Sequence, residues 1–260
     1  MITGAVIPCF NEETTIGPLV SQLRRYLDLI VVVDDGSTDN TAFNAEGAGA
    51  RVLRHDRNCG KGAALKTGLS HLNSLGCEWA VTLDGDGQHD PADLPGLLQC
   101  AEYSGALLVI GNRMDNSDAM PWLRRFVNRW MSRKLSQYSA HYLPDTQSGF
   151  RFIHLQTWAN LPLGAQRFEV ESEMLMAFLV AGHSVEFVPI RAIPAARKSR
   201  IRPLADSLRW FKWWGQMRRQ RGRTQTDVVA ASIAKNTSVW ARCTFFVYRR
   251  RNGETKPKLG

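Results

Sequence analysis

The stretch Trp79-Ala80-Val81-Thr82-Leu83-Asp84-Gly85-Asp86-Gly87-Gln88-His89-Asp90 decides the fold. Trp79 to Leu83 is a short β-prone run, and it stops on two carboxylates one residue apart, with glycines between and after them. A buried strand holds such a turn in place, and the glycines let backbone approach a ligand closely. Asp84, Asp86 and Gln88 offer hard oxygen atoms suited to a divalent cation or a ribose. Open α/β sheets bind ligands at the carboxyl ends of their strands, which is where this turn lies. An ordinary Asp-Gly turn is the competing reading. An EF-hand loop fails, because its required glycine and glutamate would fall on His89 and Pro95.

The same pattern recurs outward from this stretch. Ala5–Pro8, Leu29–Val33, Arg51–Arg54, Leu107–Gly111, Phe150–Ile153 and Ser184–Ile190 read as further strands. Leu29–Val33 is apolar throughout, as expected of a strand buried on both faces. Helices are expected between them: one with Leu19, Val20, Leu23 and Leu27 on one face, one capped by Ser37 or Asp39, one from Gly60-Lys61 to about Asn73, Pro91–Tyr103 and Phe168–Ala181. Strand and helix alternate with short Asp- and Gly-rich loops. This predicts an α/β fold, a mostly parallel central sheet with helices on both faces. Neither common nucleotide fingerprint is present. Gly47-Ala48-Gly49 lacks its third glycine, and the P-loop glycine upstream of Gly60-Lys61-Gly62 is replaced by His55. A nucleotide here would be held by acidic loops and a metal.

Composition limits the function classes. At 260 residues, 44% hydrophobic and 22% charged, the chain suits one sizeable folded domain, or a domain with a tail. No apolar run is long enough to span a bilayer, and Met1-Ile2-Thr3-Gly4 leads straight into a strand, so no signal peptide is expected. Cys9, Cys59, Cys77, Cys100 and Cys243 form no Cys-x-x-Cys pair, which points to reduced thiols in the cytoplasm. The net charge of +9 sits mainly in Arg124–Lys134 and beyond Arg191, implying an anionic partner: lipid, nucleic acid or a phosphorylated substrate.

Two basic segments carry helical apolar spacing. In Pro121–Tyr138 the apolar positions are Leu123, Phe126, Val127, Trp130 and Met131. In Pro203–Met217 a broad apolar arc contains Leu204, Leu208, Trp210, Phe211, Trp213, Trp214 and Met217. Each is either a helix docked on the domain or an amphipathic helix at a membrane surface; the tryptophans favour the interfacial reading for the second. The expected organisation is a domain over residues 1–202, an interfacial helix over 203–217 and a loosely ordered basic tail over 218–260.

Taken together, five motifs in order carry a resemblance over roughly residues 4–202. They are Pro8-Cys9-Phe10-Asn11-Glu12, Val33-Asp34-Asp35-Gly36-Ser37-Thr38-Asp39, Asn58-Cys59-Gly60-Lys61-Gly62, Asp84-Gly85-Asp86-Gly87-Gln88-His89 and Asp145-Thr146-Gln147-Ser148-Gly149-Phe150-Arg151. The chain resembles the family 2 glycosyltransferases of the GT-A fold, within them the dolichol-phosphate mannosyltransferase and polyprenyl-phosphate glycosyltransferase branch. The resemblance implies that Pro8, Phe10, Glu12, Asp35, Lys61, Asp84, Gly85 and Asp86 border a UDP- or GDP-sugar. Glu12 would reach a ribose hydroxyl and Asp35 the base. Asp86 and Gln88 would hold Mg²⁺ or Mn²⁺, and His89 would be a turn residue. Arg124, Ser148, Arg151 and Arg200 would meet acceptor or donor phosphate, with Asp145 as base if the acceptor is a hydroxyl. The sequence departs from the family in Phe10, where tyrosine is usual, and in Ala196-Arg197-Lys198-Ser199-Arg200, which lacks the usual glycine.

The function so implied is metal-dependent, inverting sugar transfer to a polyprenyl phosphate by an enzyme bound peripherally to the anionic cytoplasmic face of the membrane. A phosphate monoester is already an anion near neutral pH, with a second pKa of roughly 6, so it needs no strong base. A hydroxyl acceptor, such as a glycerolipid or saccharide, is the alternative. A nucleic-acid-binding protein leaves the acidic loops without a purpose, and an inactive scaffold leaves Asp84, Asp86 and Gln88 without one.

Overall fold

The computed structural model describes residues 2–115, 120–194 and 203–221. In chain order the elements are β1 (Thr3–Cys9), α1 (Ile16–Leu23), β2 (Leu29–Asp34), α2 (Thr41–Gly47), β3 (Arg51–Arg54), α3 (Lys61–Ser74), β4 (Trp79–Thr82), a 3-10 turn (Pro91–Asp93), α4 (Leu94–Ser104), β5 (Leu108–Asn112), α5 (Trp122–Ser139), β6 (Arg151–His154), α6 (Leu155–Ala159), α7 (Val170–Val180), β7 (Val185–Pro189) and α8 (Pro203–Arg221). They build one seven-stranded sheet in the order β3-β2-β1-β4-β6-β5-β7. β6 runs antiparallel to both its neighbours, and the other pairings are parallel.

Alternation along the strands feeds two cores. Val6, Val31 and Val33 face one, with Leu65, Leu69 and Leu72 of α3 and Met174, Leu175 and Phe178 of α7. Ala5, Ile7, Ile30 and Val32 face the other, with Leu19, Val20 and Leu23 of α1 and Leu97 and Cys100 of α4. Helices therefore cover both faces, as the continuous apolar run of β2 requires.

The antiparallel β6 matters for the site. Its register sets Arg151 opposite Thr82 and His154 opposite Trp79, so the start of β6 meets the end of β4. The segment Asp145–Phe150 is thereby delivered to the same sheet edge as the carboxyl ends of the parallel strands.

The aromatic face of α8 is largely packed on the domain. Trp210 is buried and donates its Nε1–H to Ser172 Oγ at 3.0 Å. It stacks on Trp214 at 5.6 Å and lies edge-on to Trp130 of α5 at 5.7 Å. Trp213, Trp214 and Met217 pack against the same core. Trp210 and Trp214 thus set their rings against Trp130 and Tyr138 of α5, the arrangement of a helix docked on the domain. Residues 222–260, most of the expected basic tail, lie outside the described residues.

Glu186 is a buried carboxyl on β7, the edge strand. Burial pushes its pKa up to about 7. A raised acid pKa favours the protonated form in the fold, so its contribution is fully present below the unfolded value and is lost as pH rises through 7. Glu186→Gln is expected to match the wild type at pH 5 and to be more stable at pH 8, by on the order of 2 kcal/mol. Urea denaturation at the two pH values measures the difference, and equal stabilities at pH 8 would contradict it.

Candidate active site

The parallel strands end side by side, and each loop that follows contributes to one cleft. After β1, Asn11 adopts a left-handed φ of 54°. Its N–H donates to Ser37 Oγ at 2.8 Å, and its Oδ1 accepts from Thr38 N at 2.8 Å. Glu12 N donates to Thr41 Oγ1 at 2.7 Å. The loops after β1 and β2 are thus joined, and Pro8, Phe10 and Glu12 stand half-buried along one wall. Asp39 accepts from Thr41 N at 3.1 Å, in the local side-chain-to-backbone pattern typical of aspartate before a helix.

Asp35 draws in the third loop. Its Oδ1 accepts from Cys59 N at 2.8 Å and meets His55 Nδ1 at 2.7 Å, while Oδ2 accepts from Gly60 N at 2.7 Å. His55 Nε2 contacts Thr67 Oγ1 at 3.0 Å. Gly60 has a φ of +100°, the left-handed region open to glycine, as it opens α3. His55 carried no expectation from the sequence beyond the glycine it replaces.

The central turn sits above this. Gly85 packs on Cys9: a Cβ there would come to 2.5 Å from the Cys9 Sγ. Thr15 Oγ1 donates to the Gly85 carbonyl at 2.6 Å, which ties α1 to the turn. From β6's side, Gly149 lies under the Asp84 carboxylate, and a Cβ would meet Asp84 Oδ1 at 2.5 Å. Only glycine permits that approach.

Asp84 and Asp86 differ electrostatically. Lys61 at the start of α3 bridges Asp84 Oδ1 and Glu171 Oε1, each at 2.5 Å. Burial alone would raise Asp84, but the Lys61 ammonium outweighs it and holds the carboxyl well below the usual carboxylate range. The same two carboxylates raise Lys61 against its own burial. Asp86 is pushed up, by burial first and by Asp84 second. Among the described residues no cation reaches it within ion-pair distance. Gln88 donates through Nε2 to Asp86 Oδ2 at 2.6 Å and accepts through Oε1 from Arg124 Nη1 at 3.0 Å. The half-buried Asp86 carboxylate, without an ion-pair partner, offers oxygen suited to a hard divalent ion, whereas Gln88 turns its amide nitrogen to Asp86 and its carbonyl to Arg124 and would join such a site by rotating its amide. His89 is buried beneath, its Nδ1 3.4 Å from Asp84 N, and burial lowers its pKa to about 4. The cluster with three metal-capable side chains is elsewhere in the cleft, Asp35-His55-Cys59, and its His and Asp atoms are already engaged with each other.

The far wall holds a buried ion pair that sequence reasoning missed. Arg113, just past β5, donates from Nε to Asp145 Oδ2 at 2.8 Å and from Nη2 to Asp145 Oδ1 at 3.0 Å. Asp145 also accepts from Arg113 N, Asn128 Nδ2 and Gln147 N. Burial opposes its ionisation, but Arg113 prevails and lowers its pKa to about 2. Both oxygens are engaged in hydrogen bonds, and the carboxylate holds the Arg113 guanidinium in a two-point pair. Arg113 could have been found by the rule that located Asp84, since it also follows a strand's carboxyl end. Glu171 lies in the first turn of α7, a segment the sequence marked only as a helix.

Arg151 also departs from expectation. It is buried, and its guanidinium donates to the carbonyls of Ser148 (2.8 Å), Glu171 (2.8 Å) and Thr146 (3.2 Å). It holds the Asp145–Gly149 segment in shape and does not reach the cleft as a phosphate ligand. The Ser148 hydroxyl is buried as well and has no hydrogen-bond partner among the described residues. Arg200 lies outside the described residues.

Residues 5–156 match the model for glycosyl transferase family 2. The chain belongs to this family. It is therefore a glycosyltransferase with a GT-A fold, as the resemblance implied. An uncharacterized protein of Methanocaldococcus jannaschii is 33% identical over 72% of this chain and 80% of its own length. The UDP-N-acetylglucosamine–dolichyl-phosphate N-acetylglucosaminyltransferase of Methanococcus voltae is 31% identical over 72% of this chain and 84% of its own. The dodecaprenyl-phosphate galacturonate synthase of Rhizobium johnstonii is 32% identical over 56% of this chain and 43% of its own. Among solved structures, Mycobacterium tuberculosis glucosyl-3-phosphoglycerate synthase in complex with Mg²⁺ and UDP superimposes with a TM-score of 0.66, at 22% identity over 86% of this chain and 80% of that one.

Proposed function

We propose that this glycosyltransferase moves a sugar from a UDP- or GDP-sugar to a polyprenyl phosphate at the cytoplasmic membrane face, with inversion at the anomeric carbon. The observation that carries the acceptor's class is the state of Asp145. With both oxygens engaged and its pKa lowered to about 2, it does not take a proton from a hydroxyl. A phosphate acceptor arrives as an anion and needs no such base. Arg113 and Arg124 supply positive charge beside the turn, and the guanidinium fork suits phosphate. The names of the M. voltae and R. johnstonii relatives, both polyprenyl- or dolichyl-phosphate enzymes, support the same acceptor.

In this reading the acceptor oxygen attacks the anomeric carbon as the nucleoside diphosphate departs. Pro8, Phe10, Glu12 and Asp35 hold the nucleoside, Asp84 and Lys61 the sugar diphosphate, and Asp86 and Gln88 a divalent cation. Mg²⁺ or Mn²⁺ held by these residues would supply positive charge against the leaving diphosphate. The arginines orient the acceptor. Product analysis tests this: polyprenyl phosphate and a hydroxyl-bearing glycerolipid are offered with each nucleotide-sugar. The reading expects a sugar linked through phosphate to the polyprenol. Transfer to the glycerolipid alone would replace it with the hydroxyl-acceptor alternative.

No helix among the described residues is long and apolar enough to cross a membrane. One cluster of exposed apolar side chains among the described residues lies at the start of α5, where Trp122, Leu123 and Phe126 are 73%, 50% and 63% exposed, next to the exposed Arg129. Phe211 of α8 is also exposed, with Arg209 and Lys212 beside it. An apolar patch rimmed by cations suits an anionic leaflet. Trp122→Ser with Phe126→Ser is expected to weaken binding to phosphatidylglycerol vesicles by about tenfold or more, with an unchanged melting temperature. Sedimentation with vesicles measures it, and equal binding by the variant would remove α5 from the membrane face.

A further inference from the structure

We propose that Asp93 is a positioning residue for the turn that carries Asp86 and Gln88, and that it acts by latching the segment leaving β7 across that turn. The inference rests on the reading of this turn as the metal site. The turn is loose by composition: Gly85 and Gly87 flank Asp86, and Gly87 has a φ of +73°. Thr15 fixes its near side through the Gly85 carbonyl. Its far side is fixed by residues about 100 positions away in sequence, as their numbers show.

Five contacts make this far-side strap. Ile193 N donates to the Gln88 carbonyl at 3.1 Å, and His89 forms an antiparallel bridge with Ala192. Arg191 N donates to Asp93 Oδ2 at 2.7 Å. The Arg191 side chain reaches Asp90 Oδ2 at 2.7 Å and Asp93 Oδ1 at 3.5 Å. These contacts differ in worth. The Arg191 guanidinium is 53% exposed, so its ion pairs are screened by water. Asp93 is 7% exposed, and its bond from the Arg191 backbone amide is short, charge-assisted and shielded. The latch is therefore the Asp93 carboxylate, and the Arg191 side chain is an accessory. With the strap seated, the Gln88 main chain is pinned beside Asp86, and both oxygen donors keep one geometry. Without it, the two glycines let the turn sample others, and a cation meets a less ordered site.

Asp93→Ala, Asp93→Asn and Arg191→Ala decide the question in the full chain. In the metal-free protein, amide hydrogen exchange at Gln88, His89 and Ile193 is expected to quicken by about tenfold in Asp93→Ala, with Val31–Val33 of β2 unchanged. Mn²⁺ affinity, read by paramagnetic resonance in the presence of UDP or GDP, is expected to fall by about three- to tenfold. Transfer at saturating Mn²⁺ is retained. Asp93→Asn keeps an oxygen acceptor for Arg191 N and is expected to recover most of both losses; Arg191→Ala is expected to lose little of either. Unchanged exchange in Asp93→Ala would overturn the strap. Faster exchange with unchanged Mn²⁺ affinity would overturn its role in the metal site. A wild type that binds no Mn²⁺ would instead remove the metal reading itself, while the exchange arm still decides whether the strap exists.

Discussion

Asp86→Ala is expected to lower sugar transfer by at least about a thousandfold while leaving the protein as stable as the wild type, or slightly more so. The two effects have one cause. Asp86 is a half-buried carboxylate raised by burial and by Asp84; Lys61 and Arg124 offset this in part, but among the described residues no cation pairs with it directly. Removing it relieves a repulsion that the fold alone does not compensate. In the proposed reading, removing it also takes away a ligand of the divalent cation that would offset the charge of the leaving diphosphate. Asp84 behaves differently, because Lys61 neutralises it and Glu171 shares the lysine. Asp84→Ala would leave Lys61 with one partner and is expected to destabilise. Transfer rates with melting curves for the two variants check the contrast. A marked loss of stability in Asp86→Ala would mean that Asp86 serves the fold.

Asp145→Asn is expected to cost about 3–5 kcal/mol of stability, because it strands the Arg113 guanidinium in a buried site. The melting temperature should fall by roughly 10 °C. Transfer should also fall, since Arg113 loses the partner that aims it. The reciprocal Arg113→Met strands the carboxylate at similar cost. Combining Arg113→Met with Asp145→Leu removes both charges and is expected to be more stable than either single variant, though still inactive. Acid acts on the same pair. Asp145 has its pKa lowered to about 2, so its contribution is present above the unfolded value near 4 and is lost as pH falls toward 2. Additive losses in the double variant would show that the two residues do not act as a pair.

The local parts of this architecture were legible in the sequence, and the long-range parts were not. All seven strands could be located from short β-prone runs between helical segments and loops. Periodicity reports how a segment is buried, and it does not report its neighbour. Nothing local distinguishes the antiparallel β6 from the parallel strands, although β6 is what brings Gly149 under Asp84. The aromatic arc of α8 had the composition of an interfacial helix. Its tryptophans instead found Trp130 and Tyr138 on α5, a pairing set by the tertiary fold. The acidic turn was readable because its chemistry is contiguous. Lys61, Glu171, Arg113 and Arg191 act on it from four separate segments, and their roles follow from distances that spacing along the chain does not encode. Arg151 shows the same limit: its motif is local, while its three carbonyl partners include one from α7.

Calorimetric titration of the wild type with UDP-sugars and GDP-sugars, in Mn²⁺ and again in EDTA, tests the central claim most directly. The account predicts that one nucleotide class binds in Mn²⁺ and that EDTA abolishes or greatly weakens the binding. Binding of neither class, or binding indifferent to the metal, would contradict it.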